Sequence, residues 1–154
     1  MDKEDPDPDL KEGKQEDNEK TLDRIYQETL EKIKRSLKEV EPSCPVPLSE
    51  YRIMINSAKN LCLITVQDSL SKYYLPTIIN KIKELYNKYK NSEKKELSDE
   101  EKVKVVVYAD ALTALGGELD RRYSPFVEET RKYLENKGFE PKKVGEIRSY
   151  LFST

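Results

Sequence analysis

Apolar residues recur three and four positions apart through most of this chain, beginning with Leu22, Tyr26, Leu30, Ile33, Leu37 and Val40. Side chains so spaced share one face of an α-helix, which predicts a first helix over about 21–40. Lysines, glutamates and Arg35 fill its other face, and Pro42, Pro45 and Pro47 forbid its continuation. A second helix is predicted from Ser49, a suitable N-cap, with Tyr51, Met54, Ile55, Ala58, Leu61, Cys62, Val66, Leu70 and Tyr73 on its face. Pro76 either breaks that helix or kinks it, and Ile78, Ile79, Ile82, Leu85, Tyr86 and Tyr89 carry the pattern on to about residue 91.

After a charged connector, Ser98-Asp99-Glu100-Glu101 reads as a capping box with acids in the first helical turn. The fourth helix is expected over about 99–122. Val105, Tyr108, Ala109, Leu112, Leu115 and Leu119 make one face, and Val103, Val107, Ala111 and Ala114 a second. Two apolar faces place this helix centrally, against more than one neighbour. Gly116-Gly117 then either marks a close helix crossing or ends the helix early; two glycines in a helix interior would cost about 1 kcal/mol each. Ser124-Pro125 signals the next start, Gly138 a C-terminal glycine with Phe139 as its apolar contact, and Pro141 a last short helix with Val144, Ile147 and Leu151.

The pattern predicts an all-α, mostly antiparallel bundle of four to six helices, one domain over 21–152. Residues 1–20 differ: past Met1 they hold one strongly apolar residue, Leu10, and nine acids against four lysines, so a disordered acidic tail is expected. The remainder carries 24 basic and 21 acidic residues, too balanced for the electrostatic footprint of a nucleic-acid binder. Lys81–Lys95 interleaves six lysines with Leu85, Tyr86 and Tyr89, but an amphipathic helix produces the same spacing. No apolar run is long enough to span a membrane, and no secretory h-region follows Met1.

The chain has no histidine, which removes the commonest general base and every His-containing metal site. Cys44 and Cys62 are too few for a four-thiolate zinc site; they either pair or stand as a free loop thiol and a small buried helix residue. Asp110, in the most apolar helix, is expected to face solvent or to pair with a lysine or arginine. No catalytic residue, cofactor or metal is expected. Ten tyrosines against three phenylalanines suit an interface or a thin bundle whose core lies near water. Arg121, Arg122 and Tyr123 are the residue types most often found as binding anchors, and they are the docking candidate.

Tyr26-Gln27-Glu28-Thr29-Leu30 in the first helix, with Tyr108, Ala111-Leu112-Thr113-Ala114-Leu115-Gly116-Gly117 and Ser124-Pro125 later, resembles the small four-helix photosystem II assembly factors of the thylakoid lumen, the "Psb-twenty-seven" type. Ile79-Asn80 through Tyr89 is similar to part of that family's second helix. Glu118-Leu119 stand where the family usually has His-Tyr, and the chain beyond Phe139 is additional. The resemblance implies a non-catalytic factor that binds immature photosystem II on its lumenal side near the inner antenna, assisting assembly or repair. It also implies a thylakoid-lumen address and a removed transit peptide. The residues alone leave a soluble cytosolic or nuclear helical interaction module as the alternative.

Overall fold

The computed structural model describes residues 14–44, 47, 50, 72 and 74–153, and every described element is helical. In chain order they are α1 (Lys14–Val40), a 3-10 turn (Glu41–Ser43), α2 (Leu75–Asn91), α3 (Asp99–Ala114), a second 3-10 turn (Arg121–Tyr123), α4 (Ser124–Asn136) and α5 (Val144–Leu151). The helix predicted from Ser49 to Tyr73, Cys62 included, lies outside the described residues, as do residues 1–13 of the predicted tail. The first helix begins at Lys14, ahead of the predicted start near 21.

α3 is the axis of the bundle and packs against α1, α2, α4 and α5. Its valines, alanines and Leu112 are buried on every side: Val103, Val105, Val106, Val107, Ala111, Leu112 and Ala114 show no exposed surface. Small and β-branched residues make this possible, because four helices can approach one only where its side chains are short. Leu30, Ile33 and Leu37 from α1, Ile78 and Ile82 from α2, Leu134 from α4 and Ile147 from α5 complete the core. Both predicted apolar faces of this helix are therefore taken up by packing inside the molecule.

Neighbouring helices are mostly antiparallel. Along α2 and α3, Lys88 pairs with Glu101 at one end while Leu75 lies beside Gly117 at the other. Along α3 and α4, Asp99 meets Lys137 and Asp110 meets Arg131. α1 and α5 run in the same direction instead. The Tyr26 hydroxyl accepts from the backbone N–H of Lys142 at 3.2 Å, and Lys34 Nζ reaches Ser153 Oγ at 2.6 Å. The chain beyond Phe139 thus folds as an integral helix. Arg148 Nε donates to the Ala114 carbonyl at 3.1 Å, placing a cation at the C-terminal end of α3 where its dipole is negative.

The helix ends follow local chemistry. Ser98 Oγ accepts from the N–H of Glu101 at 3.2 Å, and Glu101 Oε1 accepts from the N–H of Ser98 at 3.0 Å, which completes the predicted capping box. Pro76 sits in the first turn of α2, where its missing N–H has no helical partner to lose, so it opens a helix. α3 stops at Ala114, eight residues short of the predicted end. Gly116 N–H bonds Thr113 O at 3.0 Å and Gly117 N–H bonds Leu112 O at 2.8 Å, with Gly116 at φ 85°. That double bond pattern is a Schellman motif, and it recurs at Gly138 (φ 89°), where Phe139 packs as predicted. α4 lacks the expected Ser124 cap: Ser124 is already helical, and the side-chain cap lies on the preceding 3-10 turn, where Asp120 accepts from Arg122 N–H at 2.9 Å.

Gly116→Ala should lower the unfolding free energy by about 1–2 kcal/mol, since a side chain in the left-handed region meets the following carbonyl. Urea denaturation of the full chain checks this; an unchanged midpoint would mean that the turn after α3 relaxes freely.

Candidate docking surface

The candidate residues Arg121, Arg122 and Tyr123 form one 3-10 turn between α3 and α4, and the structure separates them by direction. Arg121 and Arg122 are exposed side by side, the Arg122 side chain at 67 %. Tyr123 is buried. The turn is pinned from both sides. Asp120 accepts from the Arg122 backbone at 2.9 Å and from its guanidinium at 3.2 Å, and the first of these bonds leads in holding the Asp120 carboxyl below its ordinary range. Tyr123 anchors it from below, its ring packed edge-on against Tyr86 with centroids 5.0 Å apart.

Tyr86 begins an aromatic ridge along α2. It meets Phe126 of α4 at 5.3 Å, and Phe126 meets Tyr89 at 5.0 Å. Cations flank the ridge: Arg122 lies 5.5 Å from the Tyr123 ring centre and Lys90 lies 5.5 Å from that of Tyr86. Lys83, one turn before Tyr86 on α2, contributes another cation close to Asp120. The α2 helix sorts its charges. Lys83 and Lys90 accompany Tyr86, whereas Lys88 turns to Glu101 on the α3 side.

The ridge ends at a recess of about 340 Å³ between the α2–α3 connector and α4. Tyr89, Leu97, Phe126 and Tyr133 supply its apolar surface; Lys94, Lys95 and Lys102 outnumber Glu96 and Glu129 around them. Tyr133 is held firmly. Its hydroxyl donates to Asp99 Oδ1 at 3.0 Å, and Lys102 Nζ lies 3.3 Å above its ring. Burial pushes the Asp99 carboxyl upward, but hydrogen bonds from Lys137 and Tyr133 outweigh it and leave the group below its ordinary range. Lys137 is correspondingly raised by its bond to Asp99.

Asp110 has no part in this surface. It is buried on α3 and takes a two-pronged bond from Arg131 of α4, at 2.6 and 3.1 Å, so the expected basic partner is present. The Tyr26 phenol nearby is raised above its ordinary range, chiefly by burial and next by the Asp110 charge. Cys44 is a free, half-buried thiol, raised by burial and by Glu41. Among the described residues, no cluster of cysteine, aspartate and glutamate is arranged to hold a metal ion. Among the same residues, no helix is long and apolar enough to cross a membrane.

Sequence reasoning missed Arg131, Tyr133 and Lys102. Arg131 stands 21 residues from Asp110 on a different helix, and no local spacing connects them. Lys83 and Lys90 had a signal: each is one turn from Tyr86 along the same helix, which separates them from Lys88 before any fold is known.

No family model matches the chain, and no curated protein or solved structure matches it.

Proposed function

We propose that this protein is a non-catalytic docking factor that binds a protein partner through the turn carrying Arg121 and Arg122. The observation that carries this reading is the exposure of two adjacent guanidinium groups on a turn braced by the buried Tyr123 ring. Arg122 is oriented by its bond to Asp120, and the two exposed guanidinium groups offer donors suited to a partner carboxylate. The surrounding rings keep the turn rigid without taking part in chemistry.

The resemblance in the first and fourth predicted helices makes the lumenal face of an immature photosystem II core the first partner to test. A thylakoid-lumen location and a role in assembly or repair belong to the same proposal. α5 favours weighing a second reading. It lies beyond the part of the chain that carries the resemblance and yet is built into the core, as a helical interaction module with another soluble partner would also be.

The deciding experiment uses the tagged full chain as bait, once against detergent-solubilised thylakoids and once against a soluble cell extract. Photosystem II core subunits are expected on the beads from thylakoids and are expected to be lost when Arg121→Glu and Arg122→Glu are combined. Both arginines are exposed, so the variant should keep its circular dichroism and melting temperature. Capture of core subunits that survives the double reversal would remove the proposed surface. Absence of core subunits would remove the photosystem partner.

A further inference from the structure

The docking reading leaves open what the partner presents, and the surface beyond the arginines bears on that. Starting at the 3-10 turn, Tyr123, Tyr86, Phe126 and Tyr89 follow one another in three ring-to-ring steps of 5.0–5.3 Å. Four cations, Lys83, Lys90, Arg121 and Arg122, stand on the turn and on the Tyr86 side of α2, beside Asp120, itself already bonded to Arg122. At the other end of the ridge lies the recess of about 340 Å³ walled by Tyr89, Phe126, Tyr133 and Leu97, again with lysines in excess. The surface therefore has two parts, a cationic plateau and a ring-walled recess.

We infer that the partner binds as an extended acidic segment, its carboxylates on Arg121 and Arg122 and a single aromatic side chain seated in the recess. This inference rests on the docking reading and names its partner chemistry. The reach suits it: the path of three ring-to-ring steps, which crosses between α2 and α4, limits the Tyr123–Tyr89 separation to at most about 15 Å, within the span of roughly four or five extended residues at about 3.3 Å each. So does the volume, since a recess of about 340 Å³ accepts one large side chain and not a helix. Binding energy commonly concentrates in a buried aromatic anchor surrounded by polar contacts, which is the arrangement offered here. The ridge rings argue against nucleic acid as the occupant. Tyr123 and Phe126 are buried and Tyr86 is held edge-on between them, so their faces are taken up by packing and not offered for base stacking.

The test is fluorescence anisotropy with the full chain and a labelled peptide that has two glutamates at one end and a phenylalanine about four residues further on. Saturable binding is expected. It should weaken about tenfold or more in the R121E/R122E variant, and about tenfold when the peptide phenylalanine becomes serine. The K94E/K95E variant, altered in the exposed connector beside the recess, should weaken binding as well. Amide shifts in the NMR spectrum should change on the 3-10 turn and on the connector together. Binding that ignores both charge reversals, or shifts confined elsewhere, would overturn the inference. So would tighter binding of an oligothymidylate, or of phosphatidylglycerol vesicles, that the same reversals abolish. If neutralising the N-terminal acids (Asp5→Asn, Asp7→Asn and Asp9→Asn together) tightens peptide binding, the chain's own acidic segment occupies the surface, and the partner assignment fails. Failure here stays distinct from failure of the docking reading. Core subunits captured from thylakoids and lost on arginine reversal, without peptide binding, would remove only the partner chemistry.

Discussion

Leu112→Ala is expected to lower the unfolding free energy by about 2–5 kcal/mol, the range for emptying a fully buried leucine site. The upper part of that range applies because the site has little means to collapse. Leu112 belongs to α3, which is hemmed in by four other helices, and its own carbonyl is committed to the Gly117 N–H in the turn that ends the helix. Backbone movement to close the cavity would have to break that bond. Guanidinium denaturation with an unchanged slope would register the loss as stability alone. The same variant should weaken partner capture only in proportion to unfolded protein, because Leu112 lies away from the exposed arginines.

Leu112 also makes a sharper expectation possible, because its side chain fills the space beside Gly117. A methyl group added at Gly117 would sit 2.6 Å from Leu112 Cδ1 and 3.2 Å from Leu75 Cδ1. Gly117 is not in the left-handed region, so crowding and not backbone strain decides its outcome. Alone, Gly117→Ala should therefore destabilise by about 1–3 kcal/mol, the usual cost of forcing extra volume into a packed core. In the Leu112→Ala background the nearest obstacle is gone, and the second substitution should cost much less than it does alone. A double-mutant cycle with additive costs would show that the two sites do not share this space.

How far the sequence speaks depends on the distance over which each feature is decided. The Ser98–Glu101 box and the Gly138 cap depend on residues within a turn of one another, so composition and spacing reveal them, whereas Pro76 suits a kink as well as a helix start and the sequence leaves the two open. The double apolar face of α3 likewise reveals its central position. The Gly116-Gly117 pair defeats such reading, since a crossing and a helix end ask for the same residues. What decides it is that Gly116 takes φ 85° and Leu112 and Leu75 crowd Gly117. Ser124 fails as the cap of α4 because the chain enters that helix through a 3-10 turn, whose own cap, Asp120, the helix-start signal at Ser124-Pro125 does not reveal. Tyr123 was legible as an amphipathic residue, but whether its ring points to a partner or to the core depends on Tyr86, 37 positions away in the numbering. The exposed arginines were legible as residue types; the lysines and recess that accompany them come from α2, the connector and α4 together, and only the fold assembles those.

Asp110→Ala is the second large expected loss, and its size follows from what it leaves behind. The Arg131 guanidinium would remain beside α3 with neither prong of its carboxylate fork. Breaking a buried pair costs about 3–5 kcal/mol, but the Arg131 side chain keeps 23 % of its surface exposed and has Glu128 at 3.7 Å. Partial hydration reduces the expected loss to about 2–3 kcal/mol. The diagnostic result is the pair of substitutions together. Asp110→Leu with Arg131→Met removes both charges and fills similar volume, and it should be clearly more stable than Asp110→Ala, because no unpaired cation remains. Thermal and urea unfolding of the three proteins decide the point; a double variant as damaged as the single one would mean that the ion pair itself, and not the stranded charge, holds α4 to α3. The Tyr26 phenol offers an independent check, since removing the Asp110 charge should bring its pKa down toward the ordinary value while leaving the larger effect of burial in place. The consequence reaches the docking surface through α4. Its first turn carries Phe126 and follows directly from Arg121 and Arg122, so the charge-free double variant, if it keeps the helix seated, should capture partner as well as the original chain does.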